Sequence, residues 1–222
     1  MTEHWDYTPK QAVALQRSLA SRVQRVDRLG EVHRVAGVDV GFPERGKLTR
    51  AAVAVLAFPS LELVDHSVVS VPTRFPYVPG LLSFREIPAI LEALSGLASQ
   101  PDLMLVDGQG IAHPRRLGIA SHLGLELDCP TIGVAKSRLV GQFVEPSNHK
   151  GDWTPLCDGE EVIGAVLRTR AAVRPVFVSI GHRVCLETAI RYTLQCTTRY
   201  RLPETTRYAD RLASHGVVPT AR

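Results

Sequence analysis

The stretch "HRVAGVDVGFPERGKLTRAAVAVLAFPSLELVDHSVVSVP", residues 33–72, holds three apolar, β-branched runs separated by short polar breaks. Residues 33–42 (HRVAGVDVGF) read as a strand, and "ERGK" at 44–47 reads as a hairpin turn. Residues 49–58 (TRAAVAVLAF) read as a second strand and 63–72 (LVDHSVVSVP) as a third, after a turn at "PSLEL". Val-rich runs bounded by Gly, Pro and charged residues are typical of strands. Connections this short join neighbours running in opposite directions, so the stretch predicts an antiparallel three-strand meander.

Upstream, residues 8–28 predict an amphipathic helix, with Thr8 as N-cap and Pro9 at the first helical position. Downstream, a helix is expected over 87–98, then a strand at 101–110 (PDLMLVDGQG), a helix at 114–127 and, within 131–139, a strand that ends at Lys136. Strands alternating with helices predict parallel crossover units. Further strands are expected at 161–169 and 175–182, and helices at 185–200 and 203–216, the last closed by Gly216. Residues 141–160 read as a loop. The fold class is therefore α/β: an antiparallel three-strand meander plus parallel strands in one mixed sheet flanked by helices, the order of a ribonuclease-H-like sheet. No repeat, low-complexity tract or linker divides the chain, so residues 1–222 are expected to form a single domain.

Composition narrows the function classes. The chain has 222 residues, 45% hydrophobic and 22% charged, which suits a globular protein with a sizeable core. A formal net charge of +4 is compatible with a polyanionic partner without requiring one. Cys129, Cys157, Cys185 and Cys196 form no C-x-x-C pair and have no zinc-finger spacing, so they read as reduced thiols. The N-terminal "MTEHWDYTPKQAVALQR" is charged throughout, and no apolar run reaches transmembrane length. A soluble cytoplasmic protein with no membrane association is expected.

Four acids stand out. Asp39 interrupts the apolar "GVDVGF", where burying a carboxylate is costly unless it is paired or binds metal. Its neighbours two residues away, Gly37 and Gly41, have no side chains, so that face is open to close approach. Asp107 ends the apolar "LMLVDG", at a strand end where α/β ligand sites form, and Gly108 and Gly110 follow it. An Asp-Gly turn is the plain alternative. Glu86 completes Ser83-Phe84-Arg85-Glu86, which fits a helix capping box. Asp210, in "TRYADRLASHG", reads by itself as a solvated acid on a helix face.

Acids spread over two strands and two helices can converge on a hard cation such as Mg²⁺, which prefers oxygen ligands. Arg115, Arg116, Lys136, Arg138, Arg207 and Arg211 would meet a phosphate backbone, although Lys136 alone reads as an ordinary strand-end lysine. In "RFPYVPGLLSFREIP" (74–88), Pro76 and Pro79 bracket Tyr77. Proline fixes φ and pushes the preceding residue toward extended conformations. The segment therefore holds a large ring stiffly in place.

Together, "GVDVGF", "PYVPGLLSFRE", "LVDGQGIAHPRRLGIASHLG", "TIGVAKSRL", "GHRV" and "YRLPETTRYADRLAS" resemble the endonuclease V family, deoxyinosine 3′ endonucleases of bacterial type. The resemblance runs from about residue 12 to about residue 215, in the family's order. It implies a ribonuclease-H-like DNA-repair hydrolase that cuts the second phosphodiester bond 3′ to deoxyinosine and leaves 3′-hydroxyl and 5′-phosphate ends. The implied cofactor is Mg²⁺, with Mn²⁺ as substitute. The implied metal set is Asp39, Asp107, Glu86 and Asp210, the last at a position where some members carry His. Lys136 matches the catalytic-site lysine, and Tyr77, with Pro76 and Pro79, becomes a wedge into DNA. A base pocket built largely from backbone is implied at Gly80, Leu82, Gly108, Gly110, Gly118 and Ile119, with His113 nearby. The expected partner is deoxyinosine-containing DNA, bound by a monomer. Two rivals remain: an inosine-specific endoribonuclease acting on RNA, and a catalytically silent nucleic-acid-binding module. A purely structural protein would leave the acids and the Pro-flanked tyrosine unexplained.

Overall fold

The computed structural model describes residues 5–215, so the expected closing Gly216 lies outside the described residues. The meander forms as expected. β1 (Arg34–Gly41), β2 (Leu48–Ala57) and β3 (Leu63–Pro72) pair antiparallel, with Asp39 opposite Ala52. The hairpin between β1 and β2 is a one-turn segment, α2 (Pro43–Gly46), in which Glu44 and Arg45 take left-handed backbone. β4 (Leu103–Val106) lies parallel to β1, and β5 (Thr131–Ala135) lies parallel to β4. β6 (Trp153–Asp158), β7 (Glu161–Leu167) and β8 (Val176–His182) complete one eight-stranded sheet in the order β3-β2-β1-β4-β5-β8-β7-β6. This is the ribonuclease-H-like mixed sheet, with an antiparallel wing on each side of a parallel centre.

Several expected boundaries are corrected. β6 lies inside residues 141–160, which read as a loop. It is an edge strand, largely exposed and carrying Pro155, so it lacks the apolar alternation that marks a half-buried strand. The strand expected at 101–110 ends at Val106, and the glycine-bearing residues after it form a loop. The helix expected at 114–127 begins at Ile119, as α4 (Ile119–Leu127). The first helix, α1 (Pro9–Ala20), stops well short of residue 28 but carries the expected Thr8 cap, completed into a capping box by Gln11. The helix expected at 87–98 is α3 (Leu82–Ser95), with Pro88 inside it. α5 (Leu186–Gln195) and α6 (Glu204–His215) follow. No helix among the described residues is long and apolar enough to cross a membrane. The four cysteines are unpaired.

The helices divide between the two faces of the sheet. Ala36 and Val38 of β1 pack with Ile87 and Ile90 of α3 and with Ala120 and Leu123 of α4. On the other face, Val35 packs in a cluster that includes Ile190 of α5, and Ala52 and Ala54 pack under Leu212 and Ala213 of α6. The glycines flanking Asp39 explain how α6 fits. A Cβ on Gly37 would lie 1.9 Å from the Thr205 carbonyl oxygen, and one on Gly41 would lie 3.2 Å from that of Ala213. What approaches the open face of β1 is therefore the backbone of α6 itself.

Gly37→Ala is expected to push α6 off the sheet and destabilise the protein by about 1–3 kcal/mol, the usual range for overpacking. Thermal melts should show a fall of several degrees. Gly30→Ala, where an added Cβ meets nothing within 4 Å, should melt like the parent.

Candidate active site

The parallel register of β1 and β4 sets Val38 beside Val106, so the residues that follow, Asp39 and Asp107, emerge side by side. The Asp107 N–H donates to the Val38 carbonyl at 3.0 Å, which ties the end of β4 to β1. α6, seated on Gly37 and Gly41, brings Asp210 to the same place. One carboxylate oxygen from each of Asp39, Asp107 and Asp210 lies within 4.8 Å of the others. Lys136, just past β5, joins them: its Nζ is 2.6 Å from Asp107 Oδ2 and 3.4 Å from Asp210 Oδ1. Asp210, which looked like a solvated surface acid in sequence, is thus a member of the cluster, though 47% of its side chain remains exposed.

Electrostatics shows the cost of this arrangement. Burial, and then the neighbouring Asp107 charge, push Asp39 up to about 7 against the opposing pull of Lys136. Asp107 is also raised, by burial, although Lys136 offsets part of the rise. Burial works against the Lys136 charge, but its hydrogen bond and attraction to Asp107 outweigh that and raise its pKa. One ammonium does not neutralise three converging carboxylates. The donor set is all oxygen, anionic and crowded by like charge, which fits a small hard cation.

Glu86 occupies a different position from the one its sequence pattern suggests. α3 begins earlier than expected, with Leu81 at its N-cap and no side-chain cap. Ser83 does not cap the helix: its hydroxyl sits 3.0 Å from Nδ1 of the buried His122. The capping-box reading therefore fails, and Glu86 is left uncommitted. Burial, then the charges of Asp39 and Asp107, raise Glu86 to about 8. It stands close enough to feel both acids but outside the group of three whose oxygens converge.

Of the expected pocket residues, the structure joins Gly80 to His113 and Gly108 to Ile119. Gly80 has left-handed backbone, and its carbonyl accepts from His113 Nε2 at 3.0 Å. His113 Nδ1 accepts from the Arg115 backbone N–H at 3.1 Å, which assigns the proton to Nε2. Burial and then Arg115 hold His113 down at about 4, so the ring is neutral at pH 7. A Cβ on Gly108, itself at positive φ, would strike Ile119 Cγ2. Gly110 and Gly118 are buried in backbone packing, Gly110 against the Ile180 carbonyl and Gly118 against that of Gln109. Leu82 is exposed at the start of α3. Tyr77 is 68% exposed between exposed Pro76 and Pro79.

Sequence reasoning missed Gln16. This buried glutamine of α1 donates from Nε2 to the carbonyls of Gly80 and Leu117, each at 3.0 Å, and its Oε1 accepts from Arg115 Nε at 2.5 Å. Arg115 also donates to the Gly80 carbonyl at 2.7 Å. Gln16 thereby ties the tyrosine-bearing loop to the loop before α4. A glutamine on an amphipathic helix gives no sequence signal for that. Some expected phosphate contacts are committed elsewhere: Arg115 to this network, and Arg116 to Asp158 and Glu161, each at 2.8 Å.

Known proteins share this architecture and sequence. The family model for endonuclease V matches residues 17–211. An endonuclease V of Rippkaea orientalis is 59% identical over 206 residues, which are 93% of this chain and 90% of that protein. The crystal structure of endonuclease V from Streptomyces avermitilis superposes with a TM-score of 0.91 at 44% identity, covering 96% of this chain and 94% of that one. Endonuclease V of Ciona intestinalis, crystallised with a 23mer DNA containing an inosine followed by a ribo-adenosine, superposes with a TM-score of 0.82 at 30% identity, covering 95% and 98%. With the matched residues including every member of the acidic cluster, the chain belongs to the endonuclease V family of nucleases.

Proposed function

We propose that the protein is a DNA-repair endonuclease that finds deoxyinosine in DNA and hydrolyses the second phosphodiester bond on its 3′ side, leaving 3′-hydroxyl and 5′-phosphate ends. The observation that carries this reading is the convergence of Asp39, Asp107 and Asp210 beside Lys136 in a chain of this family. Mg²⁺ is the proposed ion, with Mn²⁺ as substitute, and Asp39, Asp107 and Asp210 would hold it. When bound, the ion supplies positive charge to the phosphate oxygens and acidifies a water for attack on phosphorus. Lys136, held by Asp107, turns its ammonium toward the same phosphate and stabilises the charge that builds there. Glu86, raised to about 8, keeps a proton on its carboxyl at neutral pH until a cation offsets the surrounding acids.

Recognition falls to the other side of the cluster. Hypoxanthine leaves the stack and enters the region around Gly80, Leu82, Gly108, Gly110, Gly118 and Ile119, where backbone groups read O6 as acceptor and N1–H as donor. Neutral His113 and Gln16 hold the Gly80 carbonyl in place. Tyr77 fills the gap the base leaves; its exposure and its stiff Pro-flanked setting support that role, because an ordered wedge loses little entropy on binding. A second reading, cleavage of inosine in RNA, draws support from the ribose next to the inosine in the Ciona intestinalis complex.

Matched DNA and RNA strands, each with one inosine, decide between the two substrates. On the preferred strand, Asp39→Ala and Asp107→Ala should each cut at least about 100-fold more slowly with Mg²⁺. Asp210→Ala should lose less, because its side chain is half-exposed and water can take its place. Wild-type rates for either of the first two would end the metal assignment. Tyr77→Ala should weaken binding to inosine strands by about tenfold and leave the metal-dependent stabilisation of the protein intact, as read by strand binding and by melts with and without Mg²⁺.

The raised acids also set a pH dependence for the metal-free protein. Asp39 and Glu86 hold protons in the folded state up to about pH 7 and 8, whereas the unfolded chain releases them near 4. Their contribution is thus fully present at low pH and is lost as pH rises through the folded values. Metal-free Tm should therefore fall as pH rises from about 4 to about 8, most clearly above about 6.5, where His113 no longer acts in the opposite sense. The Tm gain on adding Mg²⁺ should grow over the same interval, and Glu86→Gln should flatten both trends.

A further inference from the structure

An open pocket of about 330 Å³ lies against the acidic cluster on the α6 side, lined by Lys136, Tyr200, Arg201, Arg207, Asp210 and Arg211. Four cations face one acid there. Lys136 and Arg207 are paired with Asp107 and Glu204, so Arg201 and Arg211 supply the excess positive charge; that excess suits an anion, and the volume suits a ligand of nucleotide size. Tyr200 stands 41% exposed, unusually open for a large ring. It is nevertheless held firmly: the Arg207 guanidinium lies 3.5 Å from its centroid, and Arg207 is itself fixed by Glu204 at 2.6 Å. The Arg199 guanidinium stands farther off, at 5.7 Å. Arg201 donates to the carbonyls of Lys136 and Pro175 at 2.7 and 2.8 Å, which locks the pocket wall to the end of β5. Arg211 is exposed on the next turn of α6 after Arg207. The catalytic scheme above leaves Tyr200, Arg207 and Arg211 without a role.

The position of this pocket gives it one. The candidate base pocket belongs to the α4 side of the sheet, where Ile119 packs beside Gly108. The Tyr200 pocket belongs to the opposite, α6 side, and shares Lys136 and Asp210 with the cluster between them. A strand whose lesion base occupies the first pocket and whose second 3′ phosphate reaches the acids must continue past them. We propose that the pocket is a subsite for the first nucleotide beyond the scissile bond: its base stacks on Tyr200, and its phosphate meets Arg211. This rests on the proposed deoxyinosine endonuclease reading. A face-stacked aromatic backed by arginine suits any base, as expected for a position that carries no lesion. The subsite would hold the strand that carries the attacked phosphorus, the 3′-oxygen of the lesion-side strand being the leaving group, so its loss should appear in KM more than in kcat.

The test compares two inosine strands: one ends in an ordinary nucleotide beyond the scissile bond, the other in a propanediol spacer at that place with the phosphates kept. Wild-type KM should rise about tenfold on the spacer strand, the range for one base–aromatic stack. Tyr200→Ala should show about the same rise on the nucleotide strand and no further rise on the spacer strand, while Tyr200→Phe should behave like wild type. A wild-type KM for Tyr200→Ala, or equal losses on both strands, overturns the subsite. Arg211→Gln, a surface change that leaves the fold intact, should reduce the salt dependence of KM by about one phosphate contact. An unchanged slope overturns the phosphate role. A wild-type protein that leaves inosine strands uncut overturns the functional reading itself and removes the subsite with it.

Discussion

The site depends on a contact between two pieces of backbone. α6 lies directly on β1 because Gly37 and Gly41 offer it no side chains. A helix packed at ordinary side-chain distance would carry Asp210 away from Asp39 and Asp107. The glycines therefore matter less for their own flexibility than for the space they leave. They convert an exposed acid on a late helix into a partner for Asp39 of β1 and Asp107 at the end of β4. The parallel register of β1 and β4 does the rest, because it makes Asp39 and Asp107 neighbours without any loop to position them.

This closeness sets three carboxylates against one another in a partly buried place, and Lys136 answers only part of the charge. Two of the consequences are opposed. The metal-free protein carries strain in its electrostatics, visible in the raised Asp39 and Glu86. The same strain makes the place attractive to a divalent cation, since binding relieves repulsion already present in the fold. Glu86 is buried close enough to respond to the charges of Asp39 and Asp107 without joining the convergent trio.

Much of the fold was legible because its strands are apolar and its turns carry Gly and Pro. The meander, the parallel pair and the acids Asp39 and Asp107 could all be read locally. β6 was not, since an exposed edge strand with a proline lacks the pattern that burial imposes. Ser83 and Glu86 fit a capping pattern, yet tertiary packing moved the helix start upstream and gave Ser83 to His122. Asp210 and Gln16 carry no local signal, because each acts across a long stretch of chain. The family resemblance recovered Asp210; nothing in the sequence recovered Gln16, whose role appears only once two distant loops are seen to share its amide.

The seating of α6 on β1 also orders events during synthesis. A chain still on the ribosome and stopped before residue 204 already contains Asp39, Glu86, Asp107 and Lys136, but it has neither α6 nor Asp210. The groove over Gly37 stands open to water, and the apolar Ala52 and Ala54 beside it lack Leu212 and Ala213 as cover. The last helix is thus both lid for the first hairpin and donor of the final acid. Completion of the core and completion of the acidic centre are one event, so the emerging polypeptide acquires its full set of converging carboxylates only when the fold closes.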